Sequence, residues 1–507
     1  MRCAWPARSG KPSQKGSARA ALISACWRLP LLWVGLAAIL PAQQTAQEHA
    51  SRGLELARTD LAAAESELRE AARLSPGNAV YLSDLASILR MQKRPAEAVG
   101  YYRKALKADA GNAAVRRNLA LALWDCGDLR AAGEELQALL KTQAGDRLAI
   151  LMLGMVEQDL GQHARAVTLL ESVHDLVKQR PESVSALVQA CYQSGRKEQA
   201  RRSVDLLLAG EPRDPRPLFD SALQAFAAGD FDISERLLQR IISAGFLSGP
   251  VYNLLGRCFW KTGRLKAGGE AFDQAIQLEP SNEENYLDLI RMLASRNEWR
   301  PALEAAQKAA VKFPGSGPLL EVKGLAESML LLTEDSIASY NRALKIDPRS
   351  ARANLGLAAA LWAAGSVEEA TAAFERGIRE FPGDALHYQE YGRLQLSLAK
   401  GGDAAAESRA VAMFEKAIAV DSSLSEAHYE LGNLAMNKGR IPAALNHLER
   451  ARKLEPDLSK IRYALSRAYR RAGRSAEAAE ELRAYQRLKA VEQTANPGFP
   501  AVSAQRQ

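Results

Sequence analysis

Five aromatic residues occupy equivalent positions in similar segments of this sequence, four residues beyond the position that Gly432 holds in its own segment. They are Trp124, Tyr192, Phe226, Trp260 and Trp362. Arg257 and Lys261 flank Trp260. Aromatic rings beside cations bind the side chains of a partner by apolar burial and charge, so the expected chemistry is noncovalent recognition in an aromatic groove with cationic rims. The alternative is that these rings pack one helix against another.

A second group of polar residues lies near the C-terminus, in two neighbouring segments. It comprises Asn433, Asn437, Lys460, Arg467, Arg470 and Arg471. Cationic and amide donors in such a group could hold an acidic segment or a chain-terminal carboxylate. The alternative is a solvated basic face or a polar cap at the end of the fold.

No sequence motif indicates catalysis, a metal site or a cofactor site. The sequence contains no Gly-rich phosphate loop, HExxH, GxSxG or CxxC pair. The six histidines do not form the i, i+4 pair that places two metal ligands on one helix face. Beyond the N-terminal segment 1–42 the cysteines are Cys126, Cys191 and Cys258, which we expect to be buried packing residues. We therefore expect a protein that is not an enzyme.

The N-terminal segment 1–42 resembles an export signal. Six basic residues precede the apolar run LPLLWVGLAAIL, and Ala42 follows it. Cleavage near Ala42 and an uncleaved membrane anchor both place the rest of the chain outside the cytoplasm, in the periplasm or the medium. A cytosolic protein with an incidental apolar stretch is the third interpretation.

The net charge of +8 comes mostly from this leader. Residues 1–42 contain no acidic residue, and basic and acidic residues nearly balance in the remainder. A near-neutral chain lacks the basic excess that nucleic-acid binding needs, so we expect no nucleic-acid partner.

The elements that position these residues follow a repeat of about 34 residues, marked by Pro280, Pro314, Pro348 and Pro382. In the segment 425–458, apolar or small residues recur at helical spacing in two stretches. Gly439 lies between the stretches, where a helix C-terminus favours a residue tolerant of positive φ. The repeat therefore predicts two antiparallel helices joined by a short turn.

This pattern resembles the tetratricopeptide repeat. Leu431, Gly432, Ala444 and Ala451 match its phrase, and other segments carry the same phrase in the same phase. The resemblance implies an all-α, right-handed superhelical solenoid of antiparallel helix pairs, with about thirteen repeats. It also implies that the first helices of the pairs line a concave groove that binds a protein or peptide.

The spacing predicts four regions. Residues 1–42 are the leader, 45–248 an N-terminal array with irregular units near 175–250, 249–492 a C-terminal array, and 493–507 a disordered tail. The proline spacing changes around Pro181 and Pro212, which we interpret as a gain and then a loss of three residues. A third change indicates an insertion near 399–407, within the C-terminal array.

The sequence leaves three functions open. The first is a non-enzymatic exported scaffold that binds a protein segment in its groove. The second is a structural subunit of a secretion, pilus or exopolysaccharide-export assembly, tethered to the membrane through the leader. The third is an enzyme, which would need a compact domain outside the repeats.

Overall fold

The computed structural model describes residues 32–495 except 402 and 404, with side chains from residue 44 to residue 492. This part of the chain forms 27 α-helices and no β-strand, which confirms the all-α fold. Contacts divide the chain into two compact units, Met1–Leu207 and Leu208–Gln507. The boundary falls within one helix, so we describe that helix with the first unit.

The first unit contains eleven described helices. They are α1 (Leu32–Leu56), α2 (Leu61–Leu74), α3 (Ala79–Met91), α4 (Pro95–Ala108), α5 (Ala113–Asp125), α6 (Leu129–Thr142), α7 (Arg147–Asp159), α8 (His163–Ser172), α9 (His174–Val177), α10 (Pro181–Gln193) and α11 (Lys197–Ala209).

The second unit contains sixteen described helices. They are α12 (Arg216–Ala227), α13 (Phe231–Ser243), α14 (Gly249–Lys261), α15 (Leu265–Leu278), α16 (Glu283–Ser295), α17 (Trp299–Lys312), α18 (Gly317–Met329), α19 (Thr333–Ile346), α20 (Ala351–Ala363), α21 (Val367–Glu380), α22 (Ala385–Lys400), α23 (Ala406–Val420), α24 (Ser425–Asn437), α25 (Ile441–Leu454), α26 (Ser459–Arg471) and α27 (Ser475–Ala495).

Successive helices form thirteen helix–turn–helix repeats over residues 32–495, with α9 as an extra turn of helix after α8. We call the two helices of each repeat the first helix and the second helix, and keep the word unit for the two compact parts of the fold. In the second unit of the fold, α14 packs on α15, α15 on the next first helix α16, and α14 also contacts α16. The first helices therefore form one layer of this solenoid and the second helices the other.

A residue with positive φ joins the two helices of most repeats. Gly127, Gly161, Gly195, Gly229 and Gly263 recur once per repeat without interruption. Lys93, Asn297 and Leu331 hold the same turn position in other repeats. Glycine suits this position because it lacks the Cβ that makes left-handed backbone costly.

The interpretation of Pro181 as a register change is wrong. First helices begin at Ala113, Arg147 and Pro181, which are equally spaced. Pro181 is itself the first residue of α10, whereas Pro280 lies three residues before α16. Proline is accepted at the first helical position because its missing N–H has no partner there in any case. A separate irregularity is the helix break at Val173, where α8 ends and α9 follows.

Near 399–407 the additional residues lengthen both helices of one repeat. The helix α22 has 16 residues and α23 has 15, while α20 and α21 have 13 and 14. The connection between α22 and α23 is correspondingly longer than the usual turn. The extra sequence is therefore absorbed partly as helix and partly as loop.

Small residues allow the two helices of a repeat to cross closely, as the sequence indicated for Gly432 and Ala444. A Cβ on Gly432 would lie 2.6 Å from Leu448 Cγ and 3.3 Å from the Ala444 carbonyl oxygen. No side chain larger than glycine fits there without displacement of a neighbour. The crossing fixes which face of each first helix is buried and which remains accessible.

The expected leader and tail lie largely outside the described residues, at 1–31 and 496–507. The helix α1 runs through the expected processing position at residue 42, and α27 continues to Ala495. Among the helices that the structure describes, none combines the length and apolar character that crossing a membrane requires.

Candidate functional site

Four of the predicted groove residues form one cluster on α12 and α14, in the second unit of the fold. The Arg257 guanidinium carbon lies 4.7 Å from the centre of the Phe226 ring. The Lys261 Nζ lies 5.6 Å from the centre of the Trp260 ring. We call Phe226, Arg257, Trp260 and Lys261 the aromatic–cation cluster.

The cluster is accessible because the buried face of α14 is formed by other residues. Leu255, Gly256 and Cys258 are buried, whereas Arg257 and Trp260 are half-buried and Lys261 is exposed. A Cβ on Gly256 would lie 2.9 Å from the Phe272 ring of α15. Because of this close approach, α14 packs tightly on α15 through its Gly256 face. The cluster residues of α14 lie on its other faces, within the layer of first helices.

Neighbouring residues hold the two rings of the cluster in place. Phe226 makes an edge-to-face contact with Phe231, with ring centres 5.3 Å apart. The Trp260 indole Nε1–H donates a hydrogen bond to Ser295 Oγ on α16, at 3.1 Å. Sequence reasoning missed Phe231 and Ser295 because ring orientation and contacts between repeats are not encoded in the repeat pattern.

This arrangement suits recognition of a partner segment that carries acidic side chains, or both acidic and apolar side chains. Each cation faces an aromatic ring, a favourable contact that also keeps its charge accessible. Half-buried aromatic rings and arginine are the residue types that contribute most to binding at protein interfaces. Arg257 can form paired hydrogen bonds with a carboxylate, and Trp260 can cover apolar atoms of the same partner.

The other three predicted groove residues lie on α5, α10 and α20. In the first unit of the fold, Trp124 donates a hydrogen bond from Nε1 to Asp159 Oδ2 at 2.7 Å. Tyr192 is only 8% exposed, which leaves little of its ring for a partner. Trp362 is half-buried and packs against the core around Leu357 and Leu361.

The C-terminal basic group is partly occupied by contacts within the fold. Lys460 forms an ion pair with Glu426 and lies 4.8 Å from the centre of the Tyr429 ring. Arg471 donates a hydrogen bond to the Met436 carbonyl oxygen at 2.8 Å.

The remaining members of that group lie on α24 and α26. Asn437, Arg467 and Arg470 are exposed, and Asn433 is half-buried. Arg467 lies 6.0 Å from the centre of the Tyr463 ring. Lys460 and Arg471 thus help to join the neighbouring first helices α24 and α26, whereas Arg467 and Arg470 form an exposed basic rim.

Two of the three cysteines that the structure describes are buried thiols with raised pKa values. Burial raises the pKa of the Cys258 thiol to about 11, and this thiol donates a hydrogen bond to Ser234 Oγ. Cys191 is also buried, with a pKa of about 12, whereas Cys126 is exposed, so the expectation of three buried cysteines is wrong for Cys126. Within the described residues, no group of three or more His, Cys, Asp or Glu is placed to hold a metal ion.

A repeated all-α fold whose layer of first helices carries such clusters defines a helical-repeat protein. Two family models described as Tetratricopeptide repeat match the chain, one at residues 54–113, 219–283, 332–385 and 429–492, the other at 89–153 and 158–225. Together they cover more than half of the sequence. The chain belongs to the tetratricopeptide repeat family.

Curated relatives are distant and longer. The BBSome complex member BBS4 of Bos taurus is 22% identical over 303 residues, which cover 60% of this chain and 58% of that protein. The CTR9 homolog of Arabidopsis thaliana is 26% identical over 280 residues, 52% of this chain and 24% of that one. The chain thus spans less than two thirds of the length of these relatives.

Solved structures align with the chain at low identity. Yeast Tom70 aligns with a TM-score of 0.43 and 16% identity, covering 82% of this chain and 96% of that one. One chain of the Cut9–Hcn1 hetero-tetramer of the APC/C aligns with a TM-score of 0.40 and 14% identity, covering 91% of this chain and 96% of that one.

Proposed function

We propose that this protein is a non-enzymatic scaffold that binds a segment of a partner protein on its first-helix layer, at the aromatic–cation cluster. The observation that carries the proposal is the pairing of Arg257 with Phe226 and of Lys261 with Trp260, at 4.7 and 5.6 Å. Proteins of this family generally bind protein partners. The cluster lies on two adjacent first helices, and it consists of residue types that contribute much of the binding energy at protein interfaces.

The double substitution Arg257→Ala with Trp260→Ala should remove the partner. Truncating two central anchors of an interface costs about 2–4 kcal/mol each, so retention of a partner should fall by at least about tenfold. The measurement is capture from an envelope extract on the immobilised protein, with quantitative mass spectrometry and with circular dichroism to check folding.

The matched control is Trp299→Ala with Arg300→Ala. It removes the same two residue types from the start of α17, in the layer of second helices. The control should retain the partner set of the unaltered protein. An identical partner set for the cluster variant and the unaltered protein would reject the proposed groove.

We further propose that the protein works outside the cytoplasm after export through residues 1–42. The support is the basic, then apolar, then small-residue order of that segment. Sequencing the N-terminus of protein purified from its own cells distinguishes the alternatives. A start at Gln43 supports export with cleavage, whereas an intact leader in the membrane fraction supports the tethered structural subunit.

A further inference from the structure

One position on four successive first helices presents an ordered set of side chains. The set is Leu223 on α12, Arg257 on α14, Arg291 on α16 and Leu325 on α18, each one repeat after the one before. Both leucines are exposed, at 39% and 43%, although each lies within a helix that buries other apolar residues. We call these four residues the central row.

The central row runs across the helices on their accessible face. Each of these first helices contacts the next. Two hydrogen bonds join α14 to α16, from Asn253 to Asp288 at 3.2 Å and from Trp260 to Ser295 at 3.1 Å. Asn253 and Trp260 lie one turn before and about one turn after Arg257, so all three share one face of α14. Arg257 and its equivalents therefore lie between the contacts that join the layer.

The spacing of the row sets the spacing of its ligand. Packed helices are about 8–10 Å apart. A polyproline II segment advances about 3.1 Å per residue with three residues per turn, so every third side chain lies on the same face. One repeat of the row therefore corresponds to one turn of such a segment crossing the helices, and side chains at i, i+3, i+6 and i+9 would meet the four members in turn.

The order of residue types along the row is apolar, cationic, cationic, apolar, which is the same from either end. Arg257 is held on the Phe226 ring, and no carboxylate among the described residues forms an ion pair with it. Arg291 contacts Glu284 and Asp288, at 2.7 and 3.3 Å. The Arg291–Glu284 pair is exposed to water on both sides, with side chains 37% and 59% exposed, and such pairs contribute little. A ligand carboxylate can therefore replace Glu284 at Arg291.

We infer that the preferred ligand is a protein segment in the polyproline II conformation, with apolar side chains at i and i+9 and acidic side chains at i+3 and i+6. This inference rests on the proposed function and assigns the chemistry of its partner. The two carboxylates bind Arg257 and Arg291, and the apolar side chains cover Leu223 and Leu325. Because the row reads alike from either end, the segment can bind in both chain directions.

Selection from a displayed library of random dodecapeptides against the full chain tests this assignment. Enriched peptides should carry two acidic residues three apart, with apolar residues three positions outside them. Their affinity, measured by fluorescence anisotropy, should fall by at least about tenfold in Arg257→Gln with Arg291→Gln and decrease as salt is raised. Leu223→Ala with Leu325→Ala should weaken binding by several-fold.

The matched control is Arg300→Gln with Arg342→Gln, which neutralises two exposed arginines on the second helices α17 and α19. Peptides that depend on Trp260 but lack spaced acidic residues would overturn the inference and leave the proposed function standing. A library that yields no peptide dependent on Trp260 or on the row would overturn both. Equal losses in the control and the row variant would also reject the assignment.

Discussion

Replacing Phe272 with alanine should lower the free energy of unfolding of the second unit by about 3–5 kcal/mol. The Phe272 side chain is fully buried, and its ring supports Gly256 of α14 at the helix crossing. Truncation removes the buried ring and leaves a cavity that the rigid crossing cannot fill. Urea denaturation followed by circular dichroism measures the loss.

The same substitution should weaken binding at the aromatic–cation cluster. In a repeat array each repeat is stabilised mainly by its neighbours, so damage at one crossing loosens the adjacent helices first. Hydrogen exchange should therefore rise in α14 and α15 before it rises in α26. Because Arg257 and Trp260 lie on α14, their fixed geometry depends on this crossing.

Leu278→Ala is the control for this prediction. Leu278 ends the same helix α15 and is 42% exposed, so its truncation should change stability by no more than about 0.5 kcal/mol. Equal costs for the two substitutions would show that the crossing contributes nothing particular to stability.

The repeat pattern predicted the helix pairs because it records the backbone requirements of each turn and crossing. Gly439 marks a turn with positive φ, and Gly432 marks a crossing that has no room for a Cβ. Both requirements are local and severe, so the sequence shows them directly. The proline spacing was a poorer guide. Pro181 is the first residue of α10, whereas Pro280 lies three residues before its first helix, so the two prolines do not mark the same position of the repeat.

The candidate site could be predicted only as a set of positions. The sequence placed Phe226 and Trp260 at equivalent positions but also Tyr192, which the structure buries. Which ring meets which cation depends on side-chain rotamers and on the rotation between repeats, neither of which a periodic pattern specifies. The row from Leu223 to Leu325 was visible as residues one repeat apart, but its accessibility was not.

The second large effect concerns a mostly buried ion pair within α18, beside the central row, to which Ser339 of α19 also bonds. Lys323 Nζ donates to Glu327 Oε1 at 2.5 Å and to Ser339 Oγ at 2.9 Å, and Ser339 Oγ donates to Glu327 Oε2 at 2.6 Å. The Glu327 side chain is 3% exposed, whereas that of Lys323 is 18% exposed. Lys323→Met should therefore cost about 3–5 kcal/mol, because it leaves a buried carboxylate without its cation.

Glu327→Met should cost less than Lys323→Met, because the lysine can extend its ammonium group towards water whereas the glutamate cannot. The double substitution should be less destabilising than Lys323→Met alone, since two apolar side chains of similar size replace the pair without an unpaired charge. Urea denaturation of all four proteins in one double-mutant cycle gives the coupling energy. A double variant as unstable as the sum of the single variants would mean that the two groups do not interact. In that case the carboxylate would have to be held by Ser339 alone, and Ser339→Ala would then carry the larger cost.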